Sequence, residues 1–161
     1  MAKNQKEKKL GEILIEKGWI RSDQVEIALL EQKTTKEFLG SILLRKKYVT
    51  EQHLTIALST QFGIPCATIR GIPIDGELVN RFSTALISEH RCFPIDQDDR
   101  HVTFAITNPL DAWAMGKAGE EAKGKNVQFI LVPESEMAEV LDRYREQVNM
   151  RIRKMLDEGK S

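Results

Sequence analysis

Two stretches of the chain carry one pattern. KLGEILIEKGWIRSDQVEIALLEQ runs from Lys9 to Gln32, and FLGSILLRKKYVTEQHLTIALSTQ runs from Phe38 to Gln61. Each opens on a Leu-Gly pair, Leu10-Gly11 and Leu39-Gly40, and closes on a glutamine, Gln32 and Gln61. Between them Ile13/Ile42, Leu14/Leu43, Lys17/Lys46, Ile27/Ile56, Ala28/Ala57 and Leu29/Leu58 also repeat. This is the chemistry of recognition rather than of bond making. Two copies of one unit present one surface twice, and a ligand with two equivalent halves suits such a surface. Catalytic patterns are missing. GKAGEEAKGK fails the spacing of a phosphate-cradling G-x-x-x-x-G-K-[ST] loop, there is no G-x-S-x-G, and the carboxylates are scattered as on a solvated surface. No enzyme is expected. His53, His90 and His101 lie far apart, with no cysteine or carboxylate at ligand spacing, so no metal centre is expected either.

The elements that must position these residues follow from the apolar spacing. Leu10, Ile13 and Leu14, then Val25, Ala28 and Leu29, recur at helical intervals, and Leu39, Ile42 and Leu43, then Leu54, Ala57 and Leu58, repeat them. Gly18 suits a left-handed helix end in copy one. Thr50, or Ser22 in the first copy, can cap the helix that follows. Each repeat is therefore a helix–turn–helix hairpin. Neither hairpin has enough apolar surface alone, so four short helices must pack together.

After Gln61 the texture changes. Gly63 and Pro65 break the helix, and Gly71, Pro73 and Gly76 extend a loop. A helix is expected over 77–88, a short strand at 93–95, a strand over 101–107, a helix over 111–123 and a strand over 127–132. A long charged helix follows from Glu134 to about Glu158. The expected fold is α+β: a four-helix tandem-hairpin subdomain (1–68) packed on a small α/β subdomain (69–148) with a three-stranded sheet, and a C-terminal helix extension or linker (149–161).

Composition limits the partners. Lys+Arg and Asp+Glu balance at 24 each over 161 residues. Bulk DNA binding draws its affinity from phosphate neutralisation, which a neutral chain does not supply. Asp23, Glu26 and Glu31 on the second helix of copy one also have the wrong sign for a recognition helix. No apolar stretch approaches the ~18–20 residues of a membrane span, and MAKNQKEKK leads into no signal-type apolar core. A cytoplasmic protein with no direct membrane insertion is expected. Cys66 and Cys92 make no disulfide framework and read as small apolar residues.

The LG-x-x-L…x-L-x-x-A-L-x-x-Q repeat, followed by FGIP, a helix, an FPI strand and an NPLD turn, resembles the MshEN domain. This is the N-terminal domain of type II secretion and type IV pilus assembly ATPases. The resemblance covers Lys9 to about Glu146. It implies binding of cyclic di-GMP, a two-fold-symmetric dinucleotide, as ligand, with no further cofactor. It places ligand contacts at Lys9, Leu10, Gly11 and Gln32 in copy one and at Leu39, Gly40 and Gln61 in copy two. Leu14 and Leu43 extend the apolar bed, and Asp111 of NPLD is a further candidate. Glycine admits close backbone approach, a glutamine amide both donates and accepts, and a cation beside free backbone N–H groups favours phosphate.

Three positions depart from the family pattern. Lys9 stands where the family prefers arginine, which keeps the charge but loses the planar fork. Phe38 stands at the same place in copy two and can stack but not pair with phosphate. Lys47 replaces the turn glycine that copy one keeps as Gly18. Lys6, Lys8, Arg45, Lys46 and Lys47 are candidates for compensating charge. Two readings stay open: a cyclic di-GMP receptor domain, or a module that docks on secretion or pilus machinery proteins without nucleotide. Likewise, the Leu-Gly pairs either line a cleft or fill a core and permit close helix packing.

Overall fold

The computed structural model describes the backbone of residues 2–159 and the side chains of residues 9–159. The side chains of Lys6 and Lys8 lie outside the described residues. The chain has an α+β fold and divides into two compact units, residues 1–66 with 108–110, and residues 67–107 with 111–161.

The first unit holds the four expected helices: α1 (Ala2–Glu16), α2 (Ser22–Thr35), α3 (Leu39–Arg45) and α4 (Glu51–Phe62). α1 packs against α4, and α2 against α3. The turn of each hairpin closes in the same way. In copy one Gly18 N–H donates to Ile15 O at 2.9 Å and Trp19 N–H to Leu14 O at 3.1 Å; in copy two Lys47 N–H donates to Leu44 O and Tyr48 N–H to Leu43 O, both at 3.0 Å. This paired pattern is the Schellman helix end, and it requires a left-handed residue. Gly18 adopts φ 74° and Lys47 φ 60°. The lysine therefore accepts a conformation that its Cβ disfavours, because the hairpin geometry demands it.

The helix starts differ between copies. Thr50 caps α4, its Oγ1 accepting from His53 N–H at 3.1 Å. Ser22 does not cap α2; the cap position is Arg21, whose N–H donates to Gln24 Oε1 at 3.0 Å. The reciprocal half of a capping box thus secures the helix start where the cap side chain has no acceptor.

The second unit is built on a three-stranded sheet in the order β1 (Phe93–Gln97), β2 (His101–Ile106), β3 (Asn126–Leu131). β1 and β2 are antiparallel, and the register shifts between Pro94 and Asp96. A bulge there suits a proline, which has no N–H for the ladder. Asp98 makes the tight turn, with its carboxylate accepting from Arg100 N–H and His101 N–H, each at 2.7 Å. β2 and β3 run parallel from His101↔Asn126 to Ile106↔Leu131. A parallel pair needs a crossover, here through α6 (Ala112–Glu121).

The helix expected over 77–88 is two pieces, α5 (Gly76–Val79) and a π-helical turn (Ala85–Glu89). Ser83 interrupts the run. Its N–H and Oγ donate to the Glu121 carboxylate at 2.6 and 2.8 Å, and its Oγ accepts from Leu86 N–H at 3.3 Å. A serine so engaged starts a new turn rather than continuing a helix.

α7 (Glu134–Glu158) runs unbroken for 25 residues. Met137, Val140 and Leu141 are buried near its start. Glu136 is buried with them, where Oε1 accepts from Thr68 Oγ1 and Ile69 N–H, both at 2.8 Å. A carboxylate leaves water only with such partners. It ties the segment entering the unit to the long helix. Among the described residues no helix is long and apolar enough to cross a membrane.

Candidate functional site

The Leu-Gly pairs face inward. Leu10 is 3 % exposed, and Leu14, Leu39 and Leu43 are fully buried. Gly11 is buried and Gly40 half-buried. A Cβ on Gly11 would stand 2.8 Å from Val25 Cγ1, and one on Gly40 would stand 3.1 Å from Leu54 Cδ1. Each glycine therefore lets the first helix of its hairpin touch the second. The leucines are sealed beneath that contact, and of the two glycines only Gly40 keeps partial access to solvent.

The polar members of the pattern are more accessible than the leucines. Lys9 is exposed, and Gln32 and Gln61 are half-buried. Gln32 Nε2 donates to Glu37 O at 3.0 Å, which fixes the amide at the end of α2. Phe38, where copy one has its cation, is half-buried.

The other basic residues nearby are largely committed. Arg45 bridges Glu37 at 2.9 Å and Glu31 at 3.4 Å, and Lys46 meets the other oxygen of Glu31 at 3.3 Å. Burial works to raise the Glu31 pKa, but Arg45 and Lys46 outweigh it and hold the carboxyl below its ordinary value. This network clasps α2 to α3. Of the compensating charges considered from sequence, Arg45 and Lys46 are thus engaged in holding helices together, and Lys47 is exposed on its turn.

Sequence reasoning missed two features of this unit. The first is a repeated cation–aromatic pair: Lys17 Nζ lies 5.3 Å from the Trp19 ring centroid and Lys46 Nζ 5.9 Å from that of Tyr48. Its signal was present, since Lys17/Lys46 and the aromatic pair occupy matching positions. The second is a stack of Trp19 on His53, with centroids 4.1 Å apart and planes 4° apart. The stack joins the turn of copy one to α4, a contact that no local spacing announces. Ile27, Leu30 and Ile56 are exposed, so the repeated Ile27/Ile56 pair belongs to the surface.

Asp111 belongs to the second unit. It caps α6, with Oδ1 accepting from Ala114 N–H at 3.0 Å, and its Oδ2 lies 2.8 Å from His90 Nδ1. The His90 ring stacks on Trp113 at 4.2 Å. Burial, with Asp111 and Glu121 adding negative charge, pushes the neighbouring Cys92 thiol up to about 12. That thiol is inert at neutral pH. Among the described residues there is no group of three or more side chains able to hold a metal ion.

Comparison with known proteins sets this geometry in a family. The sequence model of the MshEN domain matches residues 62–149, more than half of the chain, so the tandem repeat lies almost wholly outside the matched segment. The type IV pilus assembly ATPase PilB of Myxococcus xanthus is 22% identical over 136 residues, 84% of this chain. The PilB of Thermus thermophilus is 48% identical over 60 residues, 37% of this chain. The chain spans only 24% of the length of the first and 7% of the second. Among solved structures, MshE with cyclic di-GMP superposes with a TM-score of 0.73 at 25% identity, covering 84% of this chain and 97% of that one. The N-terminal domain of XpsE superposes with a TM-score of 0.69 at 20% identity, covering 86% and 94%, and shares the fold. By the match across its α/β half and the agreement of its fold with these structures, the chain belongs to the MshEN domain family.

Proposed function

We propose that this chain is a cyclic di-GMP-binding regulatory domain acting in a pilus or secretion ATPase system. The observation that carries the reading is duplication in three dimensions. Both hairpins close with the same pair of hydrogen bonds, both set a lysine over an aromatic ring, and both seat a glycine against the second helix. A dinucleotide with two equivalent halves meets two equivalent surfaces. The likeness to MshE with cyclic di-GMP supports the same ligand.

In this reading the leucines Leu10, Leu14, Leu39 and Leu43 act as a rigid floor rather than as direct contacts. Gly40, half-buried, offers main chain free of Cβ, while buried Gly11 serves the packing of copy one. Lys9 supplies charge to a phosphate, while Gln32 and Gln61 present amides to base edges or phosphate oxygens. For Asp111, both oxygens are already engaged, so capping and orienting His90 come first. Binding would act on partners in the pilus or secretion machinery by favouring one arrangement of the domain over another.

One observation favours the docking reading. Ile27 and Leu30 on α2 and Ile56 on α4 are exposed at 44 %, 63 % and 38 %. Calorimetry with cyclic di-GMP, using GTP and cyclic di-AMP as controls, separates the two. Saturable heat with cyclic di-GMP alone, weakened by Gln32→Ala or Gln61→Ala, is the expected result. No heat at tens of micromolar ligand leaves docking as the function.

A further inference from the structure

The apolar stripe of α7 outlasts its cover. Met137 and Leu141 are buried, and Tyr144 and Val148 are half-buried. The same face then continues into Ile152 at 49 % and Met155 at 66 % exposure, with Leu156 beside them at 61 %. At 3.6 residues per turn, Val148, Ile152 and Met155 fall on one line. These turns belong to one unbroken helix, so the stripe is presented rigidly.

We infer that the last turns of α7 pair with the same turns of a second copy of this chain, antiparallel. The charges flanking the stripe choose this partner and direction. Arg151 and Glu158 lie on one edge of it, a full heptad apart. In an antiparallel pair that sets Ile152 opposite Met155 of the second copy, like edges meet. Arg151 of each chain then faces Glu158 of the other, twice over. A parallel pair in register would instead set each charged flank against the opposite flank of its partner, without this double match. The Arg151 guanidinium lies over Gly76 of its own chain, with Nη2 2.8 Å from where a Cβ would stand. The Arg151 side chain is exposed.

The area is small. A few turns of helix bury well below the ~800 Å² per partner of a standard stable interface. Association is accordingly weak and concentration-dependent, serving chains that are already held near one another.

Sedimentation of the full chain between about 10 µM and about 1 mM reads this directly. The average mass should rise from one chain toward two across that range. Arg151→Glu sets two carboxylates against each other at both contacts, and Glu158→Arg sets two cations. Each variant alone should stay monomeric, and circular dichroism reports whether each is folded. An equimolar mixture of the two variants should regain association, because every cross pair is then opposite in sign. A wild-type chain that stays monomeric throughout overturns the inference. So does association that both variants retain. A monomer that instead binds anionic vesicles through this helix, losing that binding on Ile152→Asp, also overturns it and assigns the stripe to a lipid surface.

Discussion

The two hairpins share one pattern and differ at positions that separate scaffold from site. What both copies keep is geometry: the buried leucines, the glycine facing the second helix, and the left-handed residue that closes the turn. Where they differ is chemistry. Copy one has a cation at Lys9 and a glycine at its turn, whereas copy two has Phe38 and Lys47. The left-handed turn persists even where its glycine is gone, so the hairpin shape is the more strongly constrained of the two. A duplicated fold can thus change the chemistry of one half while keeping its shape.

The largest expected effect tests the shared floor. Leu10→Ala and Leu39→Ala should each destabilise the chain by about 3 kcal/mol, through lost transfer energy and the cavity left behind. Urea denaturation measures both. Two variants of undiminished stability and poor ligand affinity would mean that the leucines face the ligand.

The glycines should behave unequally. Val25, β-branched and stiff, is only 2.8 Å from the Gly11 position, whereas the flexible Leu54 has 3.1 Å at Gly40. Gly11→Ala should cost about 2 kcal/mol by overpacking. Gly40→Ala should fall within about 0.5 kcal/mol of wild type, since alanine's helix propensity offsets the tighter contact. Equal costs on thermal melting would show that the hairpins are packed alike.

Restoring chemistry to copy two comes next. Phe38→Arg should raise cyclic di-GMP affinity about tenfold, or about 1.4 kcal/mol, by adding a charge-assisted contact to phosphate. Lys9→Ala should lower it by a similar factor. If calorimetry shows Phe38→Arg binding no tighter, the second half-site does not need a cation.

A smaller change concerns the turns. Lys47→Gly should stabilise by about 1 kcal/mol by relieving the left-handed backbone, and Gly18→Lys should lose about as much. Nothing lies within 4 Å of a Cβ at Gly18, so the cost there is conformational alone. A melting temperature unmoved by both exchanges would show that the turns carry no strain.

Much of this molecule could be read from local pattern. The helical periodicity of Leu10, Ile13 and Leu14 marked α1, and its repetition marked α3. The alternation of HVTFAIT marked β2, and NPLD marked the start of α6. These signals are legible because helix and strand periods are properties of a few successive residues. The candidate site was legible as a set of residue types, since duplication points to it without any fold.

Direction and distance were not legible. Whether a leucine in a Leu-Gly pair lines a cleft or fills a core depends on which helix packs over it. Nothing within the repeat states that α1 meets α4 and α2 meets α3. The break at Ser83 depends on Glu121, the burial of Glu136 on Thr68 and Ile69, and the orientation of His90 on Asp111. The sequence by itself determined the repeat, the element types and the identity of the groups available for recognition. Only the tertiary structure decided which of those groups face water, because burial is set by neighbours distant in the chain and leaves no mark on local spacing.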